Sequence, residues 1–246
     1  MSIDPIKNDT KHVTYIGLHG WGADHRTFDP LKPFVPENAS VILPDLPGYG
    51  QSKPPKEWTI DCVTEETADI INITDVRRPI VIVGNCLGAV LGLEMLVRKM
   101  LTADRIVIID PVIFFPMYLR VFLLGKLGKG AYRGTLDTKV GRFLSNLMVS
   151  RNKSSDIDYT ESFQDVNHDS AYRYLQMMTE IPDPSRYANI NIDVDIVFGK
   201  KTFGAVRKSS KALKTIWKHA NEIEIPEAGH LPIHEQTELM ARLIFK

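Results

Sequence analysis

Residues 80–85, IVIVGN, form an apolar, β-branched run that meets Cys86 and then the helix-favouring stretch LGAVLGLEM. A strand with one wet face alternates apolar and polar residues. A continuous apolar strand is buried on both faces, as in a parallel sheet covered by helices on either side. Further strand-like segments are HVTYIGL (12–18), SVILPD (40–45), DRIVIID (104–110), VDIVFG (194–199) and the NEIEI that precedes PEAGH. Between and after them, 60–73, 87–100, 205–220 and 233–246 have helical spacing, and DHRTFDPLKPFV (24–35) reads as a short helix. Strands alternating with helices imply a mostly parallel α/β sheet. The alternation stops after residue 110, and 111–183 hold helix-like pieces without a clear strand. The expected organisation is therefore a core of 1–110 and 184–246 with a helical cap, 111–183, inserted over it.

A chain of 246 residues is long enough for one such domain. Thirty basic residues balance thirty acidic ones, which removes any bulk electrostatic case for nucleic acid. Two cysteines, Cys62 and Cys86, make a disulfide framework unexpected. The opening MSIDPIKNDTKH lacks the apolar core of a signal peptide, so a cytoplasmic location is the default expectation. The most apolar stretch, PVIFFPMYLRVFLLG, carries Arg120 and two prolines and is too short to span a bilayer.

The stretch around Cys86 is a strand-to-helix turn of the form Gly84-x-Cys86-x-Gly88, the pattern of a nucleophile elbow. Its central residue is strained, and side chains two positions either side would collide, so glycines stand there. The helix N-terminus behind it favours a thiolate. An isolated cysteine in such a place would be a small buried hydrophobe; the surrounding motif favours a nucleophile. Cys62 has no such context and reads as core. A base for Cys86 must come from the C-terminal ends of the strands. Of seven histidines, His19 follows the first strand and His230 follows the last; the remaining five read as surface or packing residues. Chain order in folds with this elbow places the base last, at His230. The glycine-rich HGWG turn offers the Trp21 amide, and the elbow the Leu87 amide, as donors to a developing oxyanion. HGWG serves equally as a turn that needs conformational freedom.

Taken together, LHGWGAD, PDLPGYGQS, VGNCLGA and PEAGH resemble the α/β-hydrolase superfamily, most closely its small capped members such as the pimeloyl-carrier-protein esterases. The resemblance runs from about residue 12 to 246, the cap excepted. It implies an α/β-hydrolase fold, a cap above the elbow, and acyl chemistry by a nucleophile–His–acid triad without cofactor or metal. Three departures stand out. The nucleophile is cysteine, few residues precede the first strand, and the usual G-x-x-D acid is replaced by Gly199-Lys200-Lys201-Thr202. Asp193 and Asp195 lie at the wrong end of their strand. Asp110 lies at the right end of the fourth and is the candidate acid; an Asp before Pro111 also opens turns, and a Cys–His dyad without an acid remains open, with Glu227 the next carboxylate. On this reading Thr202 carries no role, and Asp45 is structural.

Within 112–153, eight basic residues, including Lys126, Lys129 and Arg133, face Asp137 alone, while 154–183 hold seven acidic residues against Arg173. The two halves could neutralise each other as a solvated surface. The alternative is a docking face for an anionic acyl-carrier protein or coenzyme A. Phe114, Phe115, Tyr118 and Phe122 are candidates to line an acyl channel or to form cap core. A thioester on cysteine keeps its transfer potential, so the leading expectation is a thioesterase or acyltransferase acting through an acyl-S-enzyme. The alternatives are an ester or lactone hydrolase, including a serine enzyme in which cysteine has replaced serine, and a non-catalytic ligand-binding member of the fold.

Overall fold

The computed structural model describes residues 12–74, 76–149 and 157–246. Six strands, β1 (Val13–Leu18), β2 (Ala39–Ile42), β3 (Ile80–Asn85), β4 (Arg105–Ile109), β5 (Asp193–Gly199) and β6 (Asn221–Ile225), pair in the order β2-β1-β3-β4-β5-β6. Every pairing is parallel. The question of leading strands falls on residues 1–11, outside the described residues.

Both sheet faces are buried, as the unbroken apolar runs require. Ile16, Leu18, Ile82, Ile106, Ile108 and Ile196 face α1 (Ile60–Asn72), α2 (Leu87–Val97) and α6 (Gly204–Ile216). Their sequence neighbours Tyr15, Val81, Val83, Val107, Ile109 and Val197 face the other way, onto α7 (Pro232–Glu235), α8 (Thr237–Ile244) and the segment at 25–34. That segment, expected as a short helix, is a 3₁₀ helix, His25–Phe34. Pro30 and Pro33 lack the N–H donors that an α-helix would use. β2 stops two residues before Pro44, which has no N–H for the ladder. At the N-terminal ends of β4 and β5, Arg105 donates to Asp195 (2.8 Å from Nε) and to the Leu243 and Ile244 carbonyls. Arg105, held by Asp195, thus pins α8 at the opposite end of the strands from the elbow.

Between β4 and β5 the described residues are helical: a 3₁₀ turn (Met117–Leu123), α3 (Gly125–Tyr132), a π turn (Arg133–Asp137), α4 (Lys139–Met148) and α5 (His168–Met177), with short 3₁₀ turns around α5. The Tyr174 hydroxyl donates to the Pro47 carbonyl (2.8 Å) and the Trp21 indole to the Ala171 carbonyl (2.7 Å), which tie α5 to loops of the sheet. Three of the charges counted in this region, Arg151, Lys153 and Asp156, lie outside the described residues. Arg142 is buried and donates to backbone carbonyls of the π turn, so it adds nothing to the exposed charge.

Candidate active site

β3 runs into α2 through a sharp turn at Cys86, whose φ of 53° and ψ of −113° lie outside the regions that ordinary residues favour. Such strain costs on the order of 1–3 kcal/mol and persists where the surroundings enforce it. Here they do: the Cys86 N–H donates to the Ile109 carbonyl (2.9 Å). A Cβ on Gly84 would collide with the Ala89 backbone, and one on Gly88 with the Leu18 carbonyl. Glycine at both positions is a steric requirement, and the turn lifts the thiol above the sheet.

Asp110 follows β4 directly and is also at positive φ, 45°. It is fully buried, and its carboxylate is completely engaged. Oδ1 accepts from the Gly199 N–H (3.0 Å), and Oδ2 accepts from the Thr202 hydroxyl (2.5 Å) and from His230 Nδ1 (2.8 Å). With Nδ1 held by Asp110, the nitrogen left for the Cys86 thiol is Nε2, and the two side chains line the same pocket. Burial opposes a charge on His230, yet the Asp110 hydrogen bond and the neighbouring Cys86 outweigh it and raise its pKa above the ordinary histidine range. The arrangement can therefore stabilise an imidazolium at His230. Thr202, expected to be idle, is instead a third partner of Asp110. Glu227 lies on the surface against Lys201 (3.3 Å).

The loop carrying His230 is held by groups with no sequence signature. Glu235 accepts from the amides of Gly229 (2.8 Å) and Leu231 (3.1 Å), and the Tyr159 hydroxyl accepts from the His230 amide (2.8 Å) while donating to Glu235 (2.7 Å). Three successive amides are thus satisfied by one carboxylate and one phenol.

The HGWG turn packs on the elbow: a Cβ on Gly20 would sit 3.0 Å from that of Cys86. Among the described residues, neither the Trp21 nor the Leu87 N–H has a hydrogen-bond acceptor. His19 is fully buried and points elsewhere, with Nε2 accepting from the Leu46 amide (2.9 Å) and Nδ1 donating to the Gly20 carbonyl (3.0 Å). Burial lowers its pKa to about 4. The unfolded chain takes up this proton below about 6.5, whereas the folded chain resists until about 4. Stability is therefore expected to fall with pH across that window, by about 1.4 kcal/mol per pH unit from this residue. Urea unfolding of wild type and His19→Gln between pH 7 and 4.5 measures it; identical slopes would contradict the assignment.

A pocket of about 870 Å³ opens above Cys86 and His230. Tyr118 and Phe122 line it, with Leu119, Phe163 and Phe203. Phe114 and Phe115 do not: they pack against the core, where the Phe114 ring lies under the Lys208 ammonium (4.5 Å). Of the cap cations expected to dock a carrier, Lys129 and Arg133 each bind Asp169 (3.0 Å), joining the basic half of the cap to its acidic half. Lys126 is exposed and has no carboxylate partner among the described residues. Cys62 is half-buried beside Glu66, and burial raises its pKa. Asp24, His25 and Asp45 approach one another closely enough to share an ion, but His25 and Asp45 are bonded to each other (2.7 Å) and Asp24 is bonded to Arg26.

The chain is 24% identical over 236 residues to the pimeloyl-[acyl-carrier protein] methyl ester esterase of Neisseria meningitidis serogroup C, covering 92% of this chain and 90% of the relative. Among solved structures it is similar to an esterase from Exiguobacterium antarcticum (TM-score 0.79, 14% identity, 95% and 90% of the two chains). It is also similar to the enol-lactonase of Burkholderia xenovorans (TM-score 0.74, 15% identity, 97% and 92%). The model of the alpha/beta hydrolase family matches residues 16–243, nearly the whole chain, and the protein belongs to that family.

Proposed function

We propose that the protein is an ester hydrolase whose nucleophile is the Cys86 thiolate. The observation that carries the reading is the Asp110–His230 pair (2.8 Å) set beside the elbow residue Cys86, both His230 and Cys86 lining one largely apolar pocket. Cys86 Sγ attacks the ester carbonyl, and the Trp21 and Leu87 amides receive the oxyanion. His230 passes its Nε2 proton to the departing alkoxide, leaving an acyl-S-enzyme. Water, deprotonated by His230, then releases the acid and restores the thiol. Asp110 keeps Nδ1 protonated throughout.

The full-length relative is named for ester hydrolysis, so hydrolysis takes the place of acyl transfer and thioester cleavage as the leading reading. An intact set of contacts around Cys86 weighs against a non-catalytic binding role. A carrier-linked ester is the second reading, favoured by the relative's name. Under it Lys126 is the one of the three expected docking cations that is free to act. Residues 111–183 are the cap in either case.

Hydrolysis of a graded series of nitrophenyl acyl esters tests the reading, with iodoacetamide inactivation followed alongside. Activity should be lost in step with alkylation of Cys86 and ahead of Cys62. Full activity after Cys86 is alkylated would overturn it. Tyr159→Phe should lower kcat about tenfold with KM little changed, because the His230 amide loses its acceptor in a buried place. Steady-state kinetics beside a melting curve checks this.

A further inference from the structure

α4 carries its apolar side chains outward. Val140, Phe143, Leu144, Leu147 and Met148 recur at i, i+3, i+4, i+7 and i+8, one face of a helix. They are between 52% and 83% exposed, while the side chain the helix buries is Arg142. A helix on a water-soluble surface has the opposite orientation. The apolar surface extends to Met117, Tyr118 and Val121 in the 3₁₀ turn and to Leu127 of α3, all exposed. Tyr118, Val121 and Met148 also line the pocket that ends at Cys86, so the outer face and the pocket wall are continuous.

Charge selects the occupant. Arg120, Lys126 and Lys139 are exposed neighbours of Val121, Leu127 and Val140, and none has a carboxylate partner among the described residues. From 112 to 149 the one acid is Asp137, and Arg133 (3.8 Å) and His168 (3.4 Å) occupy it. Apolar side chains interleaved with unpaired cations along 117–148 match an interface where apolar groups enter the acyl layer and cations reach lipid phosphates, while the carboxylates Asp158, Glu161 and Asp165 stand on the opposite wall of the pocket mouth, outside this stretch. A second copy of the chain would bring like charges together across a two-fold axis. A soluble acidic carrier would pair the cations but give no reason for the apolar stripe.

We propose that α4 and the adjoining turn dock on an anionic lipid surface, so that the pocket mouth faces the acyl layer and takes up its ester there. The uptake rests on the ester-hydrolase reading; the docking does not. Flotation of the full chain with POPC vesicles and with POPC/POPG vesicles tests it. Three cations at roughly fivefold each predict a partition on the order of a hundredfold stronger with POPG. Phe143→Ser/Leu147→Ser and Arg120→Glu/Lys139→Glu should each weaken it at least about tenfold. Melting and the rate on a short water-soluble ester should not change, since these four residues lie outside the pocket. Wild type that floats with neither vesicle, or equally with both, overturns the proposal. So does a vesicle-free dimer, or a complex with an acyl-carrier protein, that Phe143→Ser/Leu147→Ser dissolves while flotation is unaffected. Selective flotation without any ester hydrolysis supports the docking and removes only the ester reading.

Discussion

Cys86→Ala is expected to reduce ester hydrolysis by at least about a thousandfold while leaving the melting temperature close to wild type. The side chain is small and only partly buried, and the strained backbone at this position is set by Gly84, Gly88 and the bond to Ile109, not by the thiol. The loss would therefore be chemical. Cys86→Ser should keep measurable turnover. A hydroxyl needs a stronger base than a thiol does, and here the base is already oriented by a buried carboxylate with three donors. Initial rates on one soluble ester, with protein quantified by melting, measure all three forms. Alanine activity within tenfold of wild type would mean that another group attacks the ester.

Asp110→Asn is the second large effect, with an expected fall in kcat of roughly 10²–10⁴-fold. The Gly199 amide fixes the oxygen of the new side chain, so its NH₂ group faces His230 Nδ1 and the Thr202 hydroxyl. Two N–H donors then oppose each other. His230 must move its proton to Nε2, where it can no longer accept one from Cys86. Thr202→Ala leaves the carboxylate and its bond to His230 in place, and should cost about tenfold, the low end for one lost hydrogen bond to a charged group. The contrast separates orientation of His230 from general disturbance of the pocket. Pre-steady-state acylation rates of both variants measure it, and equal losses in the two would contradict the asymmetry.

The sheet was legible because its strands are buried on both faces and so carry unbroken apolar runs. The elbow was legible because steric demands two residues either side of Cys86 leave a glycine signature. Strand ends made Asp110 a candidate acid, since it and His230 both follow strands at the C-terminal end of the sheet, but they left a turn role and a Cys–His dyad open, and only the folded contact decides between them. Thr202 escaped because its hydroxyl meets Asp110 across 92 residues of chain, and nothing local distinguishes it from any turn threonine. Glu235 and Tyr159 escaped for the same reason: their work is to satisfy backbone amides, which have no sequence identity. In the cap, an apolar residue reads alike whether it faces inward, as Phe114 does, lines the pocket, as Phe122 does, or faces out, as Phe143 does. The charges of Lys129 and Arg133 read like that of Lys126 in sequence, and only the fold brings Asp169 between them.

The central claim is that the acyl group passes through Cys86. Intact mass, recorded within the first turnover of a slowly deacylated nitrophenyl ester, tests it most directly. Wild type should gain the mass of one acyl group, on the peptide that contains Cys86, and hydroxylamine should remove it as it does a thioester. Cys86→Ala should gain none. A wild-type enzyme that turns over the ester with no adduct, or with the adduct on Cys62 or His230, would contradict the account.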